Sequence, residues 1–400
     1  MEDRQRSKKR VLILVDTEYG GVATSLIALL KAIDKRYVDV TLVGQYPFGP
    51  RYQEIACEYA VSPIVLNTFN LLLLGKSKAK SKVINVIFRV LRKLLRICST
   101  KKNNLQYRLI LMQRSIIPKG HYDAVLDFLG YGRLTTAIST LISSPLKATW
   151  IHDENISFID DSYSYYKKFS KMFCVSNAVA RKVIEQYPEF SNKVEVFHNI
   201  IDPSLIVKKS SIPFSDSRYK GRNKILTIGR LVPQKGIDLA IQTATLLKES
   251  NIDFHWYVLG DGYDRISLER LIIQNDITDC FILLGYVNNP DNYLQQCDIY
   301  VQPSRSEGQG ITVSEAIILK KPIIVSDIPS LREQITDRYN GLVCSLSSED
   351  LASSIIEIME DEELRYHLVK NLALQPPLYI SGDLIKLYKY LGVSPSSEDE

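Results

Sequence analysis

The sequence predicts an α/β protein built from two doubly wound domains. Three observations lead there. Apolar runs of strand length alternate with helix-patterned segments, and this alternation occurs twice, on either side of a polar break. The runs are unbroken rather than alternating with polar residues, as strands buried on both faces of a parallel sheet read. The chain has 400 residues, 45% apolar and 24% charged. That is ordinary globular composition, in a chain too long for one core of usual size.

The elements follow in order. Residues 9–15, KRVLILV, form a first strand, followed by Gly20-Gly21 and a helix at 24–30. Further strands are expected at 38–43, 124–128, 148–151, 171–176 and 194–197, with helices between several of them, including 177–186 and a segment beginning at Val83. Residues 1–203 make the first domain. The stretch 204–223, with Lys208-Lys209-Ser210-Ser211, Pro213 and the cluster Ser215-Asp216-Ser217-Arg218, reads as a linker. Alternation then restarts over 224–375. Strands are expected at 224–229, 254–259, 281–284, 299–302 and 322–325, and helices at 237–250, 267–274, 292–297, 312–319 and 351–360. Residues 376–400 hold a helix at 382–391, placed to cross back to the first domain, and an acidic tail.

Several classes are excluded. No apolar run approaches the roughly 20 residues needed to span a bilayer, and the N-terminus lacks the apolar stretch of a secretory signal. Six cysteines are scattered without C-x-x-C or Cys/His clustering, which argues against a disulfide framework or a zinc site. A reduced, cytoplasmic, metal-free protein is the expectation.

Net charge is only +5, but it is unevenly placed. Between Tyr59 and Tyr122 there is no Asp or Glu, while Lys76 to Lys119 brings thirteen Lys and Arg residues. Within this region Val83, Ile84, Ile87, Val90, Leu91, Leu94 and Leu95 form a helical stripe, with Arg89, Arg92, Lys93 and Arg96 largely off it. Such a helix either packs on a core with its basic face solvated or lies on an anionic lipid surface, gaining about 1 kcal/mol per basic residue near the headgroups. Nucleic acid is not the expected partner, because aromatic interleaving is missing.

In open α/β sheets ligands bind beyond the carboxyl ends of the strands. In the second half those loops carry the chemistry. Gly229-Arg230-Leu231-Val232-Pro233-Gln234-Lys235-Gly236 delivers a guanidinium and an ammonium suited to phosphate oxygens. Gly260-Asp261-Gly262 allows close approach of backbone to a ligand. Glu307-Gly308-Gln309-Gly310-Ile311-Thr312 opens a helix whose free N–H groups at Gly310, Ile311 and Thr312 would face an anion. Glu307 and Glu315, eight apart, flank this nest and suit hydroxyls rather than phosphates. In the first half, Gly20-Gly21 and His152-Asp153 also stand at strand ends, while Asn199 and Asp202 read as turn residues at the junction.

These motifs resemble those of the GT-B glycosyltransferases, in particular the retaining family 4. Its Glu-x7-Glu pattern is matched by Glu307 and Glu315, its Gly-Arg…Lys-Gly segment by Gly229, Arg230, Lys235 and Gly236, and its Gly-Asp-Gly turn by Gly260-Asp261-Gly262. Leu284-Gly285-Tyr286, Ala316, 321–325 and Asn340-Gly341-Leu342-Val343 extend the similarity. It is strong over 225–343 and weak before. The resemblance implies a GT-B fold of two Rossmann-like domains with a cleft between them, an N-terminal acceptor domain and a C-terminal donor domain. It implies retaining transfer of a hexosyl unit from a nucleoside-diphosphate sugar, UDP by family frequency, to a glycan or lipid-linked acceptor in cell-surface polysaccharide synthesis.

Arg230 and Lys235 would hold the donor diphosphate, Glu315 the ribose, Glu307 and His152 the transferred sugar. Gly21, Gly229, Gly260, Gly285, Tyr286, Gly310, Ile311 and Thr312 would complete the donor site. The family's glycine loop usually continues with a Glu-Arg type pair, where this chain has Val22-Ala23-Thr24-Ser25, and Gln309 stands where an aromatic or aliphatic residue is common. No Asp-x-Asp occurs, so neither a metal nor another cofactor is expected. The protein would sit on the inner face of the cell membrane through the basic region Lys76 to Lys119. A non-catalytic glycan-binding subunit and a nucleotide-sugar epimerase of the same fold are the alternatives.

Overall fold

The computed structural model of the chain describes residues 8–15, 20–45, 59–64, 81–98, 117–374 and 381–394. Most of the basic region, including Lys76, Lys78, Lys80, Lys101, Lys102, Arg108 and Arg114, lies outside the described residues, as does the acidic tail beyond position 394. Two units result: Met1–Ile200 with Tyr379–Glu400, and Ile201–Leu378.

The first unit holds a seven-stranded parallel sheet in the order β3-β2-β1-β4-β5-β6-β7. Its strands are β1 Lys9–Val15, β2 Val38–Gln45, β3 Ala60–Ile64, β4 Ala124–Asp127, β5 Leu146–Ile151, β6 Lys171–Cys174 and β7 Val194–Val196. The apolar run of β1 divides by parity. Val11, Ile13 and Val15 enter one cluster with Leu29, Leu126, Trp150 and Phe173. Leu12 and Leu14 enter another with Val43, Val125 and Ile138. Both sheet faces are therefore covered, which is why the strand shows no polar alternation. Sequence order reverses between β1 and β4, which makes that gap the switch point.

The helix Lys82–Cys98 packs Phe88, Leu91 and Leu95 against the second cluster. The helix Ser381–Leu391 buries Leu387, Tyr388 and Leu391 in the first. It is also tied polarly. Asp383 faces His198 Nδ1 at 3.0 Å, Lys386 Nζ donates to the Val196 carbonyl at 2.8 Å, and the Asp34 N–H donates to Tyr388 Oη at 2.8 Å.

The second unit holds a six-stranded parallel sheet in the order β10-β9-β8-β11-β12-β13. Its strands are β8 Lys224–Ile228, β9 His255–Leu259, β10 Phe281–Gly285, β11 Ile299–Gln302, β12 Ile323–Ser326 and β13 Leu342–Cys344. Helices such as Ile237–Glu249 and Ile311–Ile318 cover its two faces over separate apolar clusters. Here the switch point lies between β8 and β11.

One expectation needs correction. The stretch 204–223, expected as a linker, belongs to the second unit. Its first part is the helix Pro203–Ser210. Asp202 caps it, accepting from the Leu205 N–H at 3.1 Å, and Pro203 stands at its first turn, where a missing N–H costs nothing. Beyond it, Phe214 and Tyr219 pack edge-to-face with Tyr293 at 4.2 and 5.1 Å between ring centroids.

Candidate functional site

The loops after β8 and β11 flank the switch point of the second unit, and the backbone draws them together. Gly236 takes φ 66°, and a Cβ there would lie 2.0 Å from the Pro303 carbonyl oxygen, so only glycine fits. The Arg305 N–H donates to the Gln234 carbonyl at 2.8 Å. Gln234 Nε2 donates to the Ser306 carbonyl at 3.1 Å. The Arg305 guanidinium grips Asp238 through two bonds of 2.7 and 2.6 Å and also reaches the Pro233 carbonyl at 2.7 Å. That hydrogen-bonded guanidinium lowers the Asp238 pKa.

The loop after β9 closes on the same place. Gly260, at φ 135°, sits where a Cβ would be 1.9 Å from the Gly229 carbonyl oxygen. The Leu231 N–H donates to the Asp261 carbonyl at 3.1 Å, and the Gly260 N–H to the Gly285 carbonyl at 2.9 Å. Four consecutive strand ends thus share one backbone mesh. Tyr286 follows Gly285 with half of its surface exposed.

On this mesh the chemical side chains converge. Lys235 Nζ donates to Glu307 Oε1 at 2.5 Å, with both side chains largely buried. The same oxygen accepts from Ser304 Oγ at 2.7 Å and Gln302 Nε2 at 3.0 Å. Gln302, fully buried in β11, is the hub of this network. Its Oε1 accepts from the Tyr300 hydroxyl and from Thr312 Oγ1. Burial pushes the Tyr300 phenol well up, so it stays a donor. The Lys235 stem passes over Gly229, where a Cβ would lie 3.3 Å from Lys235 Cδ. Arg230 is exposed and forms no side-chain hydrogen bond or ion pair among the described residues.

Gly310 caps the helix Ile311–Ile318 in the left-handed region, φ 82°. The Val313 N–H is satisfied by the Gly310 carbonyl at 2.9 Å, whereas the amides of Gly310, Ile311 and Thr312 form no backbone hydrogen bond among the described residues. Gln334 braces the loop from behind through the Gln309 carbonyl, and accepts from Ser314 Oγ at 2.5 Å. Glu315 is buried one turn into the helix.

The structure brings Gly229, Arg230, Lys235, Gly260, Gly285, Tyr286, Glu307, Gly310, Ile311, Thr312 and Glu315 to the C-terminal side of one sheet in the second unit. An ammonium, a guanidinium and a helix tip with open amides can neutralise a diphosphate there. Arg305, Asp238, Gln302 and Gln334 were not foreseen. Gln302 offered a signal, a polar residue ending an apolar strand; the others gain meaning only once the loops are folded together.

Gly21 and His152 lie in the first unit. Gly21 begins the helix Gly21–Ala32, behind Gly20 at φ 90°. His152 follows β5 and is buried, its Nε2 2.6 Å from the Phe128 carbonyl oxygen. Burial drives its pKa down to about 4, against the raising effects of that carbonyl and of the Asn199 side chain. Tyr131 stacks on it at 6.3 Å, with Arg133 5.8 Å from the Tyr131 ring centre. Among the described residues no group of three His, Cys, Asp or Glu side chains could hold a metal ion, and no helix is long and apolar enough to cross a membrane.

Residues 208–374 match the family model "Glycosyl transferases group 1". An uncharacterized glycosyltransferase of Methanocaldococcus jannaschii is 29% identical over 204 residues, covering 50% of this chain and 53% of the relative. The poly(ribitol-phosphate) alpha-N-acetylglucosaminyltransferase of Staphylococcus aureus is 28% identical over 274 residues, covering 66% and 53%. The chain thus spans about half the length of these curated relatives. Among solved structures, Anabaena HepE in complex with UDP-glucose aligns over 96% of this chain and 98% of its own, with TM-score 0.71 at 15% identity. Staphylococcus aureus TarM aligns over 98% and 100%, with TM-score 0.67 at 14% identity. At such identities the likeness concerns fold, and the fold is GT-B.

Proposed function

We propose, from the match of residues 208–374 to the glycosyl transferases group 1 model, that the chain is a retaining hexosyltransferase using a nucleoside-diphosphate sugar. The donor is a UDP-sugar, in line with the UDP complexes solved for HepE and TarM. The acceptor is a glycan or lipid-linked sugar of cell-surface polysaccharide synthesis. This agrees with relatives such as a diphospho-undecaprenol N-acetylgalactosaminyltransferase of Campylobacter jejuni, 26% identical over 272 residues.

The observation that carries the reading is the Lys235–Glu307 pair set beside the open amides of Gly310, Ile311 and Thr312. In the reaction the bond between the sugar's anomeric carbon and the β-phosphate oxygen breaks. The acceptor hydroxyl adds on the same face, and its proton passes to the departing phosphate. Arg230 and Lys235 hold the diphosphate and neutralise its growing charge, doing without a metal what a divalent cation would otherwise do. Glu315 accepts from the ribose hydroxyls. Glu307 has one oxygen tied to Lys235, Ser304 and Gln302 and turns the other toward the sugar. His152 serves as a neutral hydrogen-bonding group rather than a proton donor, since its imidazole is uncharged near neutrality.

The exposed face of the helix Lys82–Cys98 favours a second component, attachment to an anionic membrane on the cytoplasmic side. Val83, Val86, Ile87, Val90 and Leu94 each expose more than half of their surface, beside the exposed Arg89 and Lys93.

The test is a thermal-shift panel of UDP-, GDP- and ADP-sugars followed by NMR of the transfer product. A shift with UDP-sugars and a first-formed product of unchanged anomeric configuration are expected, since a ligand bound only by the folded state raises its stability. No shift with any of the three, or an inverted product, would overturn the reading.

A further inference from the structure

A second concavity opens beside the edge strand β10. It has a volume of about 410 Å³ and lies between residues 214–218 and 287–293, wholly within the second unit. That is inside the range of small-molecule sites, roughly 300–1,000 Å³. β10 stands three places from β11 in the sheet, roughly 14 Å at ordinary strand spacing, so this cavity is set away from the Glu307 loop, and it adjoins the candidate donor residues where Val287 follows Gly285 and Tyr286.

Its polar groups are unevenly satisfied. Arg218 and Asp216 neutralise each other through bonds of 3.0 and 2.7 Å, and the Tyr293 hydroxyl donates to the same carboxylate at 2.8 Å. By contrast, Asn289 Oδ1 and Asn292 Oδ1 are buried with no hydrogen-bond partner. The Asn289 amide is not reversible, because its Nδ2 donates to the Lys209 carbonyl at 2.9 Å. Asn292 is only 7% exposed, so its orphan acceptor is costly unless something enters to donate to it.

A charged ligand gains nothing from a carboxylate and guanidinium that already cancel. A nucleobase gains most when sandwiched between parallel rings, and the rings of Phe214 and Tyr293, meeting edge-to-face at 4.2 Å, leave no such slot between them. A pyranose brings hydroxyls that donate to carbonyl acceptors and an apolar C–H face for an aromatic wall. We infer that this cavity binds a neutral carbohydrate residue, with Asn289 and Asn292 accepting from its hydroxyls, as a glycan-holding site apart from the site of transfer.

Saturation-transfer NMR on the full chain, with glucose, galactose and N-acetylglucosamine as probes and UDP in excess, tests this. At least one sugar is expected to receive saturation that UDP does not displace. Asn292→Leu, which removes the orphan acceptor, should reduce the transfer at least fivefold while the melting temperature stays equal or rises. Ser217→Trp, an exposed substitution at the rim, should block the same signal should the leucine variant fold poorly. No transfer to any of the three sugars, loss of the signal on adding UDP, or an unchanged signal in a folded Asn292→Leu or Ser217→Trp chain overturns the inference.

Discussion

Glu307 concentrates three donors on one carboxylate oxygen, and one of them is the buried ammonium of Lys235. Removing one partner of such a pair leaves the other charge buried and unpaired, at a cost of about 3–5 kcal/mol. Glu307→Gln is therefore expected to lower the unfolding free energy by an amount of that order and to slow transfer at least ~100-fold. Lys235→Met should share the stability loss but also raise the KM for the donor. Denaturant titration and initial rates of sugar transfer check both.

His152 allows a pH prediction. Its folded pKa of about 4 lies below the unfolded value of about 6.5, so the unfolded chain binds the extra proton between them. The imidazole thus contributes stability that is fully present above about pH 6.5 and lost as pH falls toward about 4, up to about 3 kcal/mol. Urea midpoints of wild type and His152→Asn, taken at about pH 7.5 and about pH 4.5, should show the wild type falling more steeply on acidification. Parallel pH dependence in the two proteins rules this out.

At the scale of elements, the loops after β8, β9 and β11 behave as one body because backbone meets backbone at Gly260 and Gly236. Gly260→Ala would set a Cβ 1.9 Å from the Gly229 carbonyl oxygen at φ 135°, so the β8 loop must move. A raised donor KM, at least ~10-fold, is expected with the rest of the unit still folded, since misplaced binding groups cost about a factor of ten per 1.4 kcal/mol. A donor titration of the alanine variant measures it, and an unchanged KM contradicts the coupling.

Much of this scale was readable in advance. Residues 9–15 and 299–302 announce buried strands because both sheet faces are covered, and Glu307 to Glu315 announces a helix start because glycine must precede it, as Gly310 does at φ 82°. Other elements hid for physical reasons. β13 has three residues, too few to show a period. β3 contains Pro63, which ordinarily marks a break. Pro203–Ser210 reads as a linker because Ser204 and Lys208 are exposed and the segment carries a polar run, although Asp202-Pro203 carries a legible cap signal. The Arg305–Asp238 clamp joins residues 67 apart, and no local pattern encodes which loops a parallel sheet sets side by side.

For the molecule as a whole, the basic region sets up a surface question. Replacing the exposed Arg89 and Lys93 by Ser should weaken binding to vesicles of acidic lipid by about 1 kcal/mol per residue, roughly thirtyfold for the two, and leave unfolding nearly unchanged. Sedimentation with the vesicles measures it, and equal binding of wild type and variant refutes attachment through this helix.

The helix Ser381–Leu391 has its own consequence. Its Leu387, Tyr388 and Leu391 complete a core begun by residues some 370 positions earlier, with a complete second sheet made in between. On the ribosome, the unit translated first must therefore wait for residues 381–391 to emerge, while the later unit can finish ahead of it. Nascent chains arrested before Ser381 should show a protease-sensitive first unit beside a resistant second one.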